Sequence, residues 1–488
     1  MTPSLSPIFE IVDDARIAAR ALGDRLAGMR HPTLRLGVTG LSRSGKTVFI
    51  TALVHALSRG ARLPVFRAAA EGRIRRAFLT PQPDDAVPRF AYEDHLAALA
   101  GPDRRWPEST RRIAELRLVI EYESRGGWFA GPRTLTLDIV DYPGEWLLDL
   151  ALLGKDFARW SRDTVAASRG PARRDVASEF VAALAGVDPA GPADEETARR
   201  VSELFKASLA AARREPFSFS ALPPGRFLMP GDLEGSPALT FAPLDLPEGF
   251  VARSGSLAAM MERRYEAYRD HVVRPFFRDH FARLDRQVVL VDALAALNAG
   301  PAAVEDLQTA LQEVLEAFRT GRNSLLSHLF SPRIDRVLFA ATKADHLHHT
   351  SHDRLEAVLG LLVERARSRA AGLGAAVDLA AVASVRATRE ARVAHGRERL
   401  PAIVGTPLAG EVIGDQRFDG ETEAAVFPGE LPADPEQALA QAGETEMGLR
   451  FVRFRPPVAA PASDGKPGPL PQIRLDRTLE FLLGDRLA

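Results

Sequence analysis

Apolar residues alternate at Leu34, Leu36 and Val38, the pattern of a half-buried strand, and lead straight into a stretch bounded by Gly40 and Gly45. The period then changes: Val48, Ile50, Leu53, Val54 and Leu57 recur at helical spacing. Ile113, Leu116, Leu118 and Ile120 predict a second strand, and Leu135, Leu137, Ile139 and Val140 predict a third after a turn at Gly126-Gly127. Joined this way, the two read as an antiparallel hairpin on the edge of a mostly parallel sheet. Residues 60–110 show only a short helical piece near Tyr92 to Ala100. Later apolar runs at Gln287 to Val291, Arg336 to Ala341 and Val377 to Val382 are further strands, with helices near Ala303 to Phe330 and Arg354 to Ala371 between them.

Residues 145–285 interrupt this alternation with a mostly helical pattern, clearest over Asp175 to Ala185 and Glu195 to Arg214. Its last helix lines up Met261, Tyr265, Tyr268, Val272, Phe276 and Phe281, with a kink expected at Pro275. That stripe reads as core. From about residue 390 short strands and turns predict a β-rich appendage, followed by a Pro/Gly/Ala stretch, residues 456–469, expected to be mobile. An amphipathic helix near Arg477 to Leu483 closes the pattern. At the other end, Ile8, Ile11, Val12, Ala15, Ala19, Leu22 and Leu26 form a helical stripe over residues 1–30. It suits packing on the neighbouring fold; a membrane-surface role is weakened by Asp13, Asp14 and Asp24.

Composition narrows the class. With 488 residues the chain has room for more than one folding unit, and 46% hydrophobic with 26% charged residues is ordinary for a globular protein. A formal net charge of −1 argues against a nucleic-acid surface, and zero cysteines exclude disulfides, thiolate metal sites and cysteine nucleophiles. No long apolar run predicts a transmembrane segment, and residues 8–26 lack the apolar region of a signal peptide. Arginine so dominates the basic residues that only five lysines occur, at 46, 155, 206, 343 and 466. Where a lysine stands is therefore informative.

Two of the five fall in motifs. Gly40-Leu41-Ser42-Arg43-Ser44-Gly45-Lys46-Thr47 fits G-x-x-x-x-G-K-[ST], a loop whose inward backbone N–H groups cradle phosphates at a helix N-terminus. Lys46 then serves as the catalytic charge on the phosphates, Thr47 as a Mg²⁺ ligand, and Gly40, Ser42, Arg43, Ser44, Gly45 and Val48 complete the nucleotide contact. Asp141-Tyr142-Pro143-Gly144 fits D-x-x-G, with Asp141 toward Mg²⁺ and the Gly144 N–H toward the γ-phosphate. Thr342-Lys343-Ala344-Asp345 fits [NT]-K-x-D, the guanine-reading motif, in which Asp345 would accept the base's N1–H and 2-amino group and the Lys343 stem lie across its face. Ser384-Val385 is the candidate loop for the guanine oxygen. Thr110, with Ser109 as its competitor, is the candidate threonine closing over Mg²⁺, as both metal and catalytic residue. Glu145 stands where a water-orienting residue is expected; a carboxylate there can act as a base yet repels the γ-phosphate, which predicts slow or partner-stimulated turnover. His346, His348, His349 and His352 cluster on a polar loop and are not read as a metal site.

Together these give an α/β fold: a P-loop NTPase G-domain-like, mostly parallel sheet with a large helical insertion and a small β-rich C-terminal appendage. The divisions are residues 31–144 and 286–390 for the nucleotide-binding domain, 145–285 for the insertion, and 391–488 for appendage, linker and terminal helix. The loop flanks, Trp106-Pro107, Asp141 to Trp146, Phe427-Pro428-Gly429-Glu430-Leu431-Pro432 and Pro471-Gln472-Ile473-Arg474-Leu475-Asp476 resemble the YcjX-like family of bacterial stress-associated P-loop proteins. The resemblance implies GTP and GDP as substrate and product, a cytoplasmic site, peripheral at the inner membrane, and a stress-response or inner-membrane protein partner. The resulting expectation is a Mg²⁺-dependent GTPase switch. Its rivals are an ATPase of the same fold and a nucleotide-binding interaction module without hydrolysis.

Overall fold

A computed structural model describes residues 32–488, apart from 42, 109–111, 126–130, 214–221, 231–232, 317–333, 373, 396–397, 444–448 and 450. The N-terminal stripe of residues 1–30, the Gly126-Gly127 turn, the later part of the helix expected to reach Phe330, and Ser42, Ser109 and Thr110 lie outside the described residues. The chain divides into two compact units. The described residues of the first fall within Ala19–Tyr142, Leu284–Val304 and Pro332–Ala488; those of the second fall within Pro143–Arg283 and Glu305–Ser331.

In the first unit, β1 (Thr33–Gly40) leads through the phosphate-loop motif into α1 (Lys46–Ser58). Then come β2 (Ile74–Thr80), α2 (Tyr92–Ala100), β3 (Ala114–Glu123) and β4 (Pro132–Asp141). After the second unit's stretch of chain follow β5 (Arg286–Val291), β6 (Arg336–Ala341), α3 (His352–Leu362) and β7 (Ala376–Ala381). These strands form one mixed sheet in the order β2-β3-β4-β1-β5-β6-β7. β4, β1, β5, β6 and β7 are parallel, while β3 runs antiparallel to β4 and to β2. The expected hairpin is present, but it is not the edge: β2 covers it. Ile74–Thr80 escapes a period-2 reading because two arginines fall together and the register shifts between Ile74 and Arg76.

Burial follows the topology. Every residue of central β5 is buried, and α1 is buried on nearly all sides. One polar residue inside α1, His55, is fully engaged: Nε2 lies 2.8 Å from the Gly468 carbonyl and Nδ1 3.0 Å from the Tyr92 hydroxyl. A carbonyl only accepts, so Nε2 carries the proton and Nδ1 accepts from Tyr92. Burial holds this imidazole below its ordinary pKa and pushes the Tyr92 phenol up to about 12.

The appendage contains β8 (Arg389–His395), β9 (Glu398–Gly405) and β10 (Ala424–Val426), in the order β10-β9-β8. Two sequence expectations change here. Residues 456–469 are held against the sheet unit: Arg59 pairs bidentately with Asp464 at 2.8 and 3.0 Å, and Arg104 donates to the Pro456 carbonyl at 2.7 Å. The terminal helix α4 (Leu475–Leu483) belongs to the sheet's own core, where Leu475, Leu479, Leu482 and Leu483 join α1 and the strands. Arg286, wholly buried at the start of β5, is matched by Asp485 through two 2.6 Å bonds and by Asp335 at 3.0 Å.

In the second unit, helix Leu257–Tyr268 continues through a widened π turn, Arg269–Val273, into Arg274–Asp279. The irregularity therefore precedes Pro275, giving room for a ring that would clash with the preceding turn's carbonyl. Tyr265 and Tyr268 are buried as core, Tyr265 stacked on Trp160 at 5.1 Å. No helix among the described residues is long and apolar enough to cross a membrane.

Leu479→Ala should cost about 2–5 kcal/mol through lost burial and a residual cavity. Urea unfolding would show this as a lowered midpoint, whereas a loosely attached terminal helix would leave the midpoint unchanged.

Candidate nucleotide site

The carboxyl ends of the parallel strands lie together because β1, β4, β5 and β6 are in register: Val38 pairs with Asp141, Gly40 with Leu290, and Val291 with Ala341. Each sequence motif in this unit starts at one of those ends, the position where open α/β sheets take ligands.

Gly40 has φ 153°, and a Cβ there would meet Ser44 Oγ at 2.3 Å and the Leu290 carbonyl at 2.6 Å. No other residue fits. Gly45 has φ 87° and precedes the first turn of α1, and the N-terminus of a helix is an anion-seeking end. Arg43 is held at φ 63°, uncommon for a side-chain-bearing residue, so the loop alternates backbone hand as an anion nest does. Lys46 is 8% exposed and donates to the Gly40 carbonyl at 2.8 Å, folded back across its own loop. Ser44 and Thr47 are buried, Val48 is half-buried, and Ser44 Oγ has no hydrogen-bond partner among the described residues.

Asp141, 1% exposed, ends β4. Beneath these ends is a polar chain that the sequence reading missed. Gln287 Nε2 donates to Thr39 Oγ1 at 3.2 Å and to the Tyr142 hydroxyl at 3.5 Å, and Thr39 donates to the Val288 carbonyl at 2.9 Å. It links β1, β5 and the residue after Asp141. Its one signal in the sequence is a glutamine next to Arg286 at the start of a strand that is otherwise apolar.

At β6, Thr342 donates to the Val291 carbonyl at 3.4 Å, and Lys343 adopts φ 60°. The Lys343 ammonium pairs with Asp292, a carboxylate not nominated from sequence, which also caps the helix starting at Ala293 by accepting from Ala295 N–H at 3.1 Å. Asp345 is 4% exposed; its Oδ2 accepts from Ala387 N–H at 2.8 Å, and its carbonyl accepts from Thr388 Oγ1 at 2.6 Å. The structure thus brings Asp345 to the segment after β7. There Ser384 is half-buried and the Val385 side chain lies in the core. That segment is zipped to Pro471-Gln472-Ile473: Ala383 and Ile473 exchange bonds at 3.1 and 2.8 Å, and Arg386 N–H donates to Pro471 O at 2.7 Å.

The profile of the YcjX-like family, DUF463, matches residues 34–487. The chain belongs to this family. It is similar to the protein named Ras-like GTPase YcjX of Escherichia coli (strain K12), 40% identical over 470 residues, which cover 94% of this chain and 96% of that protein. A protein of the same name from Shewanella oneidensis is 36% identical over 479 residues, covering 94% and 95% respectively. The resemblance drawn from the motifs is therefore met.

In this YcjX-like chain, residues from Pro143 belong to the second unit. Gly144 is the N-cap of a short helix, Glu145–Leu148. Glu145, 5% exposed, forms an ion pair with Arg213. Gly225 fits against it so closely that a Cβ would lie 1.7 Å from the Glu145 carbonyl. One turn on, buried Asp149 accepts from Gly225 N–H and the Tyr268 hydroxyl, each at 2.6 Å. Burial pushes the Asp149 carboxyl up to about 6, outweighing these donors, which pull it down.

The raised value sets a sign. Asp149 contributes stability fully below its ordinary value of 3.8 and loses it as pH rises through about 6. Between those limits the loss should be roughly 3 kcal/mol. Asp149→Asn should flatten that part of the curve in urea titrations taken between pH 4 and 7; an unchanged slope would refute the assignment.

Proposed function

We propose that this YcjX-like protein is a Mg²⁺-dependent guanine-nucleotide-binding P-loop protein that hydrolyses GTP to GDP and phosphate. The observation that carries the reading is the meeting, at one sheet edge, of a glycine-shaped loop with a buried lysine, a buried aspartate and a second aspartate held by a neighbouring amide. In this reading the phosphates replace the Gly40 carbonyl as the partner of Lys46, and the backbone from Gly40 to Val48, including Ser42, wraps them. Thr47 and Asp141 are hard oxygen donors, the set that Mg²⁺ takes, and fit it by chemistry and burial. Bound Mg²⁺ would neutralise phosphate charge. Asp345, oriented by the Ala387 amide, would read the guanine edge, with Thr342, Lys343, Ser384 and Val385 beside it. The relatives' printed name, Ras-like GTPase, supports the same class.

Glu145 favours slow chemistry. Its ion pair with Arg213 engages the carboxylate next to the D-x-x-G motif, so a general base there has to be released first or supplied by a partner. Thr110 remains the proposed closing threonine. Gly144, as helix N-cap, would sense the γ-phosphate, and its loss would be felt in residues 145–150 as a movement. The setting we infer is cytoplasmic, peripheral at the inner membrane, with an inner-membrane or stress-response protein as partner.

Calorimetry with Mg²⁺ should give tight GDP binding, no ADP heat, and neither signal in Lys46→Ala. ADP binding equal to GDP would remove the guanine reading and leave an ATPase. Asp345→Asn should shift preference toward xanthine nucleotides. Turnover of the isolated protein should fall below about 1 s⁻¹. Single-turnover mixing that shows no cleavage at all would instead favour a binding module.

A further inference from the structure

The loop after β6 carries four histidines within seven residues, 346 to 352. From sequence alone they lack a convergent partner. The fold supplies one, Glu390, the second residue of β8, 41 positions beyond His349. His349 Nδ1 lies 2.7 Å from Glu390 Oε2, and the His348 and His349 rings are 4.2 Å apart. One ligand atom from each of the three residues lies within 4.8 Å of the other two, and this is the one such group among the described residues.

The bonding suits coordination. A carboxylate only accepts, so without an ion the His349 Nδ1 proton points at Glu390; moving that proton to the exposed Nε2 leaves the Nδ1 lone pair and Glu390 Oε2 facing one cation. His348 is 5% exposed, its ring steadied by Thr350 Oγ1 at 3.1 Å from Nδ1. Ligands about 2.1 Å from a tetrahedral ion stand ~3.4 Å apart, so His349 and Glu390 must part slightly while the wider spacings in the group close. His349, with 59% of its side chain exposed, can make that movement. The other Glu390 oxygen faces Arg386 at 3.4 Å and can keep that contact.

We propose that His348, His349 and Glu390 bind a divalent transition-metal ion of the zinc class, tying the loop after β6 to the start of β8. Imidazole and carboxylate with an open fourth position suit Zn²⁺ better than Mg²⁺. The tie matters because the same two segments already meet at Asp345 through Ala387 and Thr388. The ion would stiffen the edge that holds Asp345. Metal binding itself does not depend on what Asp345 reads.

The test uses the full chain and Zn²⁺ alone, in competition with a chromophoric chelator. Wild type should take up one equivalent, as should His271→Ala, a control at an exposed histidine of the other unit. His349→Ala and Glu390→Gln, both at surface-accessible side chains, should bind at least about tenfold more weakly. Absence of stoichiometric uptake by wild type, or unchanged affinity in both variants, overturns the site. Amide exchange at Ala387, measured without nucleotide, should slow on adding Zn²⁺ to wild type and not to the variants. Unchanged exchange in zinc-loaded wild type overturns the tie.

Discussion

The close approach of Gly40 to β5 is the constraint on which the phosphate loop depends. With the Leu290 carbonyl 2.6 Å from where a Cβ would stand, the chain can leave β1 only along a path open to glycine. That path delivers Gly45 and Arg43 at positive φ, starts α1 one residue later, and turns Lys46 back over Gly40. Strain in such a loop persists only where the surroundings over-determine it. Here they do: α1 is buried almost all round, and the Thr39–Gln287–Tyr142 chain fixes the strands below.

The family's characteristic segments acquire physical roles once the fold is known. Trp106 donates its indole N–H to the Phe454 carbonyl at 2.6 Å, joining the stretch before β3 to the small β-rich cluster. Leu431 is fully buried, and its carbonyl accepts from Arg354 of α3 at 2.6 Å. Ile473 extends the edge beside Ala383, and Arg474, held at φ 57°, reaches Glu356 at 2.7 Å. Asp476 then accepts the Val65 N–H at 3.1 Å. All of these hold the sheet's margins, and several hold the segment that meets Asp345.

What could be read in the sequence was what depends on near neighbours. Strand, loop and helix around Gly40–Lys46 announce themselves by a change of period, and Asp141 and Asp345 by following apolar runs. What could not be read comes from distant partners. β2 is an irregular edge strand with adjacent arginines, so its alternation is broken just where it would have been noticed. The segment 456–469 has the composition of a linker but is pinned through Arg59 and the His55 ring, groups hundreds of positions away. Glu145 invites a catalytic reading by its place after D-x-x-G, while its partner Arg213 is invisible until the helices pack. Glu390 is likewise one acid among many until β8 brings it to His349.

The buried Arg286 guanidinium has a consequence for the order of assembly. Its carboxylate partners are Asp335, 49 positions along the chain, and Asp485, 199 positions along, so the charge at the base of β5 is fully matched only when the end of the polypeptide has been made. A parallel sheet that needs so distant a counter-ion closes slowly, because the loop entropy is spent before the pairing returns it. Completion of the sheet is thereby tied to the last residues of the chain, and an unfinished parallel sheet exposes strand edges to wrong partners.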